Sequence, residues 1–170
     1  SSPTFQGLSL TILFRDSQAT VRDFTFAEHN WHDYRARERA VRSDGYKLIV
    51  NDLPELPGTP PADAVRGATY QEMRRLFELP PNVPAPAEAG LNAAQRSVFV
   101  APRPKEELYH VDADPHELNN LIDDPRHLGH LDRLRSALAD WRRQTRDRDP
   151  PTLTPDKFDR RTGEPLSKQR

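Results

Sequence analysis

An α+β fold is the class this sequence predicts: a small antiparallel sheet of about four strands with one long C-terminal helix packed on a face. Three observations predict it. Asp44-Gly45 lies between two apolar runs, and Asp-Gly in that setting is the strongest short-range hairpin signal. Leu128, Leu131, Leu134, Leu138 and Trp141 recur at spacings of 3, 3, 4 and 3, which draws one continuous stripe along a helix. Seventeen prolines in 170 residues, about twice the usual share, leave a small core joined by long irregular connections.

The elements follow in chain order. Gly7 to Phe14 is an apolar run with no partner nearby, readable as a lone strand or a helical turn, and either wants a surface to cover. Asp23 to Glu28 predicts a strand, with Phe24 and Phe26 alternating with Thr25 and Ala27. Ala40 to Ser43 and Tyr46 to Val50 form the hairpin strands, and Glu107 to Val111 the fourth. Asn51 to Ala62 holds four prolines and is a loop. Asp63 or Thr69 caps a helix reaching Leu79, with Met73, Leu76 and Phe77 on one face. Residues 80–86 are proline-rich and extended, since proline breaks helices and central strands. Leu91 to Phe99 gives a short helix before Pro102 and Pro104. Asp124-Pro125 starts the long helix, a cap followed by proline at the first helical position. Arg146 to Arg170 carries twelve charged residues and four prolines among 25, which predicts a disordered or extended tail.

Composition excludes several roles. Leu, Ile, Val and Phe total 36 of 170 residues, just above the share, about 20%, below which chains stay disordered. A net charge of −1 argues against a nucleic-acid or membrane-surface role. With no cysteine, neither a disulfide framework nor a thiolate metal site can form. No signal peptide and no apolar stretch of membrane-spanning length is expected in the chain.

Three groups carry side chains able to do chemistry. Glu28, His29, His32 and Asp33 stand just after a predicted strand; they could bind a divalent metal, contact a polar substrate, or serve as loop residues with local hydrogen bonds. Arg39 and Arg42 flank a strand, and their guanidinium forks suit sulfate or carboxylate oxygens. A salt bridge to Glu38 or Asp44 on the sheet surface is the favoured reading there. His110, Asp112, Asp114 and His116 bunch in a turn, without the bend glycine and distal acid of a calcium loop. That turn reads as structural: Asp112, Asp114 and Pro115 end a strand, and Asn119 and Asn120 suit turns and caps. Leu118 and Leu121 tuck it against the core.

This last block resembles the C-terminal subdomain of type I sulfatases. Glu107-Leu108-Tyr109 is followed by Asp112, then Asp114-Pro115-His116-Glu117-Leu118-Asn119-Asn120-Leu121, with the first Asp of the family pattern shifted because His110 follows Tyr109. Two more blocks are similar in the same order: Phe26 to Tyr34 with Arg39 to Ile49, and Ala62 to Arg66 with Thr69 to Met73. Together they look most like the heparan N-sulfatase (sulfamidase-like) branch of the alkaline phosphatase superfamily, from about Phe5 to Trp141.

The resemblance implies a division of the chain and of the chemistry. Residues 1–20 would be the end of, or crossover from, a missing catalytic domain; residues 21–145 the sulfatase C-terminal subdomain; residues 146–170 a charged flexible tail. The family's nucleophile is a formylglycine made from Cys or Ser in a (Cys/Ser)-x-Pro-x-Arg motif, supported by calcium. Ser1-Ser2-Pro3-Thr4-Phe5 is the near match, and Phe5 stands where Arg is required. Formylglycine and calcium are therefore expected in the missing domain, with no cofactor bound by this chain and no catalytic residue in it. The resemblance implies substrate contact for His32, then Asp33, on one side of a cleft shared with that domain, where a sulfated sugar binds. The activity implied is hydrolysis of a sulfate ester or N-sulfamate of a glycan. A free-standing interaction module, keeping the fold without the enzyme, is the other expectation.

Overall fold

The computed structural model describes residues 7–80 and 90–167. Four antiparallel strands, β1 (Thr25–Trp31), β2 (Arg35–Ser43), β3 (Tyr46–Asn51) and β4 (Glu106–His110), lie side by side in sequence order. The β2–β3 hairpin closes on Asp44 and Gly45, both at positive φ (49° and 74°), the twist-matched turn that Asp-Gly favours. The register sets Val41 opposite Leu48, Leu48 opposite Leu108, and Phe26 opposite Val41, so one face carries an apolar row across all four strands.

That row is covered by α4 (Leu128–Thr145), entered through a short 3₁₀ turn at Pro125–His127. Asp124 caps the turn by accepting the Arg126 amide at 3.0 Å, with proline at the first position. Leu131, Leu134 and Leu138 are buried against Val41, Tyr46, Leu48 and Leu108, and Trp141 stacks on Phe26 at 5.3 Å. Leu128, the first member of the expected stripe, is instead 48% exposed, because the helix begins there, before it reaches the sheet. Leu121 packs on the same core, while its neighbour Leu118 stays exposed.

The expected helix from Asp63 or Thr69 to Leu79 is two helices, α1 (Ala62–Arg66) and α2 (Ala68–Phe77), broken at Gly67 where ψ is 139°. Neither Asp63 nor Thr69 is the N-cap. Asp33, from the β1–β2 turn, accepts the Ala62 amide at 2.8 Å and ties α1 to the sheet. α3 (Ala93–Ser97) carries a full capping box between Asn92 and Gln95. Tyr34, Ala62, Val65 and Tyr70 form a second buried cluster with Val98, Phe99 and Phe158 against them.

The charged segment after α4 is extended, and it is not a free tail. Arg146 takes a left-handed conformation (φ 56°), which turns the chain so that Asp147 meets the buried Arg39 guanidinium with two hydrogen bonds of 2.8 Å. Further on, Asp156 accepts the Arg35 amide at 2.6 Å, Trp31 Nε1 donates to Pro155 O at 2.9 Å, and Arg66 donates to Gly163 O at 2.6 Å. Its charges have partners across the sheet end, which composition alone does not show. The apolar N-terminal run ends in a 3₁₀ turn at Thr11–Phe14, leaving Leu8, Leu10, Ile12 and Phe14 exposed, Phe14 at 90%. Among the described residues no helix is long and apolar enough to cross a membrane. The near match to the formylglycine motif and most of the expected extended proline segment lie outside the described residues.

Candidate functional site

A cleft of ≈ 270 Å³ opens at the end of the β1–β2 hairpin, between that turn, the 53–61 loop, Arg103 and Arg160. It is slightly smaller than the usual range for small-molecule sites, about 300–1,000 Å³. Strand alternation decides which of the first candidate group reach it. His29, His32 and Asp33 line the cleft, whereas Glu28 lies opposite Arg39 on the α4 side, 3.7 Å from its guanidinium. Glu28 and His29 are within β1 rather than after it, and β1 bulges between His29 and Trp31 before the turn.

His29 Nδ1 lies 3.3 Å from Glu38 Oε2, its register partner on β2. Glu38 is bonded on its other oxygen by Arg103, whose NH2 reaches Glu107 at 3.4 Å. Glu107 also takes the Asn51 amide at 2.7 Å and the Tyr109 hydroxyl at 2.6 Å. Burial, then that bond to an anion, pushes the Tyr109 hydroxyl pKa up, so it stays a donor. His32 Nδ1 lies 3.4 Å from Asp33 Oδ2, the oxygen that holds α1.

Tyr34 forms the cleft's inner wall. It is 5% exposed, and burial and then the nearby Asp33 charge raise its pKa. Arg160 lies over its ring at 5.1 Å and donates to the Arg35 carbonyl and to Asp156. Burial alone would raise the Asp156 carboxyl, yet bonds from Arg160 and the Arg35 amide hold it below its ordinary range.

Arg39 and Arg42 are not surface partners of Glu38 and Asp44. Arg39 is 1% exposed and bonded to Asp147 and Asn30, and Arg42 faces Asp112 at 3.5 Å. In the His110 to Asn119 turn, Asp114 accepts the Leu118 and Asn119 amides at 2.9 and 2.8 Å. These bonds lower its pKa. Among the described residues no group of three or more His, Cys, Asp or Glu is placed to hold a metal ion. Sequence reasoning missed Glu38, Arg35, Arg103 and Arg160. Glu38 was visible as a carboxylate in a strand otherwise rich in arginine and alanine; Arg103 sits between Pro102 and Pro104, where nothing marks it.

No family model matches the chain. Among curated proteins it is 38% identical over 104 residues to the "Ulvan-active sulfatase" of Formosa agariphila, a match covering 61% of this chain and 16% of that protein. Two solved structures are similar at lower identity. One is a protein in complex with its substrate D-glucosamine-2-N, 6-O-disulfate (16% identity, TM-score 0.46, 85% of this chain and 21% of that one). The other is a 2-O GAG sulfatase (19% identity, TM-score 0.48, 89% and 23%). The chain thus spans about a sixth of the curated relative.

Proposed function

We propose that this chain is the C-terminal part of a sulfatase that hydrolyses a sulfate ester or N-sulfamate of a glycan. The observation that carries the reading is the 38% identity to a sulfatase of which the chain spans only 16%. In that reading residues 1–20 lead from the catalytic domain, residues 21–145 are the C-terminal subdomain, and the rest is a terminal segment. The catalytic domain supplies the formylglycine nucleophile and the calcium that steadies the sulfate. This chain has no cysteine, and its near match to the motif carries Phe5 where arginine is required, so the nucleophile is assigned to the catalytic domain. Among the described residues no group of three or more His, Cys, Asp or Glu is placed to hold a metal ion.

The chain's own part is to wall the cleft and orient the sugar. His32 is the leading contact, since its side chain is 69% exposed and lines the cleft, with Asp33 3.4 Å from its Nδ1. Asp33 is the second contact, and it also anchors α1 through Ala62. The partners are the catalytic domain and a sulfated sugar at the shared cleft. The exposed Leu8, Leu10, Ile12 and Phe14 support a covering partner of this kind, because a row of exposed large apolar side chains marks an interaction surface. The same residues support the second reading, a free-standing interaction module.

Reconstitution separates the two. A sulfatase catalytic domain lacking its C-terminal subdomain is co-expressed with this chain, and sulfate release from a sulfated glucosamine is measured. Release that needs both parts, and that falls in His32→Gln while the complex still forms, is expected. A folded complex that releases no sulfate, or no complex at all, would leave the interaction module.

A further inference from the structure

His29, His32 and Arg35 are spaced three residues apart around the end of the β1–β2 hairpin, and all three line the same cleft. The His29 ring is hydrogen-bonded at Nδ1 to Glu38 at 3.3 Å, and His32 Nδ1 lies 3.4 Å from Asp33 Oδ2. Both carboxylates are fixed in turn, Glu38 by Arg103 and Asp33 by the Ala62 amide at 2.8 Å. A carboxylate at Nδ1 orients the ring and leaves Nε2 for a ligand. Side-chain exposures of 49% and 69% keep both rings within reach.

Arg35 adds a second kind of donor, and its charge also acts on Asp156. Of the four arginines that line the cleft, Arg37 pairs with Asp149, Arg103 with Glu38, and Arg160 with Asp156. The Arg35 guanidinium forms no ion pair among the described residues, and its Nε is buried without a hydrogen-bond partner. Asp156, which accepts the Arg35 backbone amide, is already bonded twice by the Arg160 guanidinium. A guanidinium that lines the same cleft as two imidazoles suits a tetrahedral or planar oxyanion.

We propose that His29, His32 and Arg35 form an oxyanion subsite that takes a sulfate group of the substrate glycan, held for recognition. The proposal rests on the sulfatase reading above and adds the group recognised and the residues that recognise it. Glu38, which contacts His29, and Arg103, which bonds Glu38, are positioning residues.

Calorimetry on the 170-residue chain tests it with three probes: glucosamine 6-O-sulfate, glucosamine and inorganic sulfate. The sulfated sugar is expected to bind about tenfold or more tighter than glucosamine, the scale of one charge-assisted contact. Arg35→Gln and His29→Gln should each remove about that factor, Arg35→Lys should restore part of it, and Glu38→Gln should give a smaller loss. His29 is half-exposed, so its variant keeps the fold even if Arg35→Gln does not, and circular dichroism checks both. Equal affinity for the two sugars, or binding indifferent to His29→Gln, overturns the subsite. Inorganic sulfate binding as tightly as the sulfated sugar overturns the glycan assignment. No catalytic domain enters this measurement, so a chain that binds no sulfated sugar yet restores sulfate release in trans refutes the subsite and leaves the sulfatase reading standing.

Discussion

The chain has two apolar clusters, and they are built in opposite ways. The first joins β2, β3, β4 and α4 through seven buried residues, six of them aliphatic side chains zipped between one helix stripe and one sheet face, with Tyr46 the seventh. The second gathers Tyr34, Ala62, Val65 and Tyr70 from three short segments. It is closed by polar contacts from the chain end: Arg160 over Tyr34, Arg66 to Gly163 O, and Arg161 to Glu78 at 2.6 and 2.8 Å. The first cluster holds by burial of apolar surface, while the second leans on a few hydrogen bonds made across long loops. The cleft opens on the second, since Tyr34, Pro61 and Arg160 line it. The part of the molecule that shapes the ligand site is the part with less apolar burial, and local opening should start there.

The largest effect expected is in the first cluster. Leu134 is 2% exposed between Leu48 and the rest of the α4 stripe, so Leu134→Ala should lower stability by about 3–4 kcal/mol through lost burial and the cavity left behind. Denaturant melts read this directly. If the comparison holds, the melt stays cooperative, because the second cluster has too little apolar area to survive alone. A separate late transition from the Tyr34 cluster would break it.

Next in size is Asp147, which ties the end of α4 to β2 through Arg39 and Arg37. Asp147→Asn keeps the shape and removes the charge opposite Arg39, which is 1% exposed, and should cost about 2–3 kcal/mol, the scale of hydrogen bonds to a charged partner. The pH dependence has a definite sign. The Arg39 hydrogen bond holds the Asp147 carboxyl below its ordinary range, against burial and aided by the charges of Arg39, Arg37 and Arg142. A depressed carboxylate pKa stabilises the fold fully above about pH 4 and loses that contribution as pH falls through the folded value. The difference in stability between the native chain and Asp147→Asn should therefore shrink below about pH 4. A constant difference down to pH 2 would show that Arg39 and Asp147 contribute no pH-dependent stability.

How much of this was legible follows the same division. Periodicity is a local signal, so the Phe24/Phe26 alternation, the Asp44-Gly45 turn and the Leu131–Leu134–Leu138 stripe pointed to the first cluster without a structure. The second cluster left almost no trace, because its closing contacts join residues more than 80 positions apart: Asp33 to Lys157, Arg35 to Asp156, Arg74 to the Arg160 carbonyl. A stretch of twelve charges and four prolines looks like a solvated tail unless its partners are known. The site divided likewise. His29, His32 and Asp33 stood out as a local cluster, whereas Glu38 was recognisable only through its register opposite His29, and Arg103 only through the fold.

Gly163 offers a smaller test of the second cluster. Its φ is +72°, and a Cβ there would stand 2.6 Å from the Ala62 carbonyl oxygen and 2.8 Å from Arg66 Cγ. Gly163→Ala should cost about 1–2 kcal/mol, from the left-handed backbone and the clash with α1. The effect on ligand binding should exceed the effect on global stability, since Arg160, three residues away, lines the cleft. Equal loss in both would mean that the clusters unfold as one unit.

The smallest effect expected, and the sharpest probe of the seam, is Trp31→Phe. Trp31 is 38% exposed, so most of its ring gains little from burial, and its specific contribution is the Nε1 donation to Pro155 O at 2.9 Å. Phenylalanine keeps the apolar ring and removes that donor, so stability should fall by only about 0.5–1 kcal/mol, the net worth of one partly exposed hydrogen bond. The consequence should be local instead. Pro155 precedes Asp156, which anchors Arg35 and Arg160 at the cleft, so amide exchange at Arg35 and Lys157 should quicken while that at Leu48 and Leu108 stays unchanged. Unchanged exchange at Arg35 and Lys157 would show that the segment from Pro155 is held by Asp156 and Arg160 alone, and that the Trp31 bond is dispensable to the site.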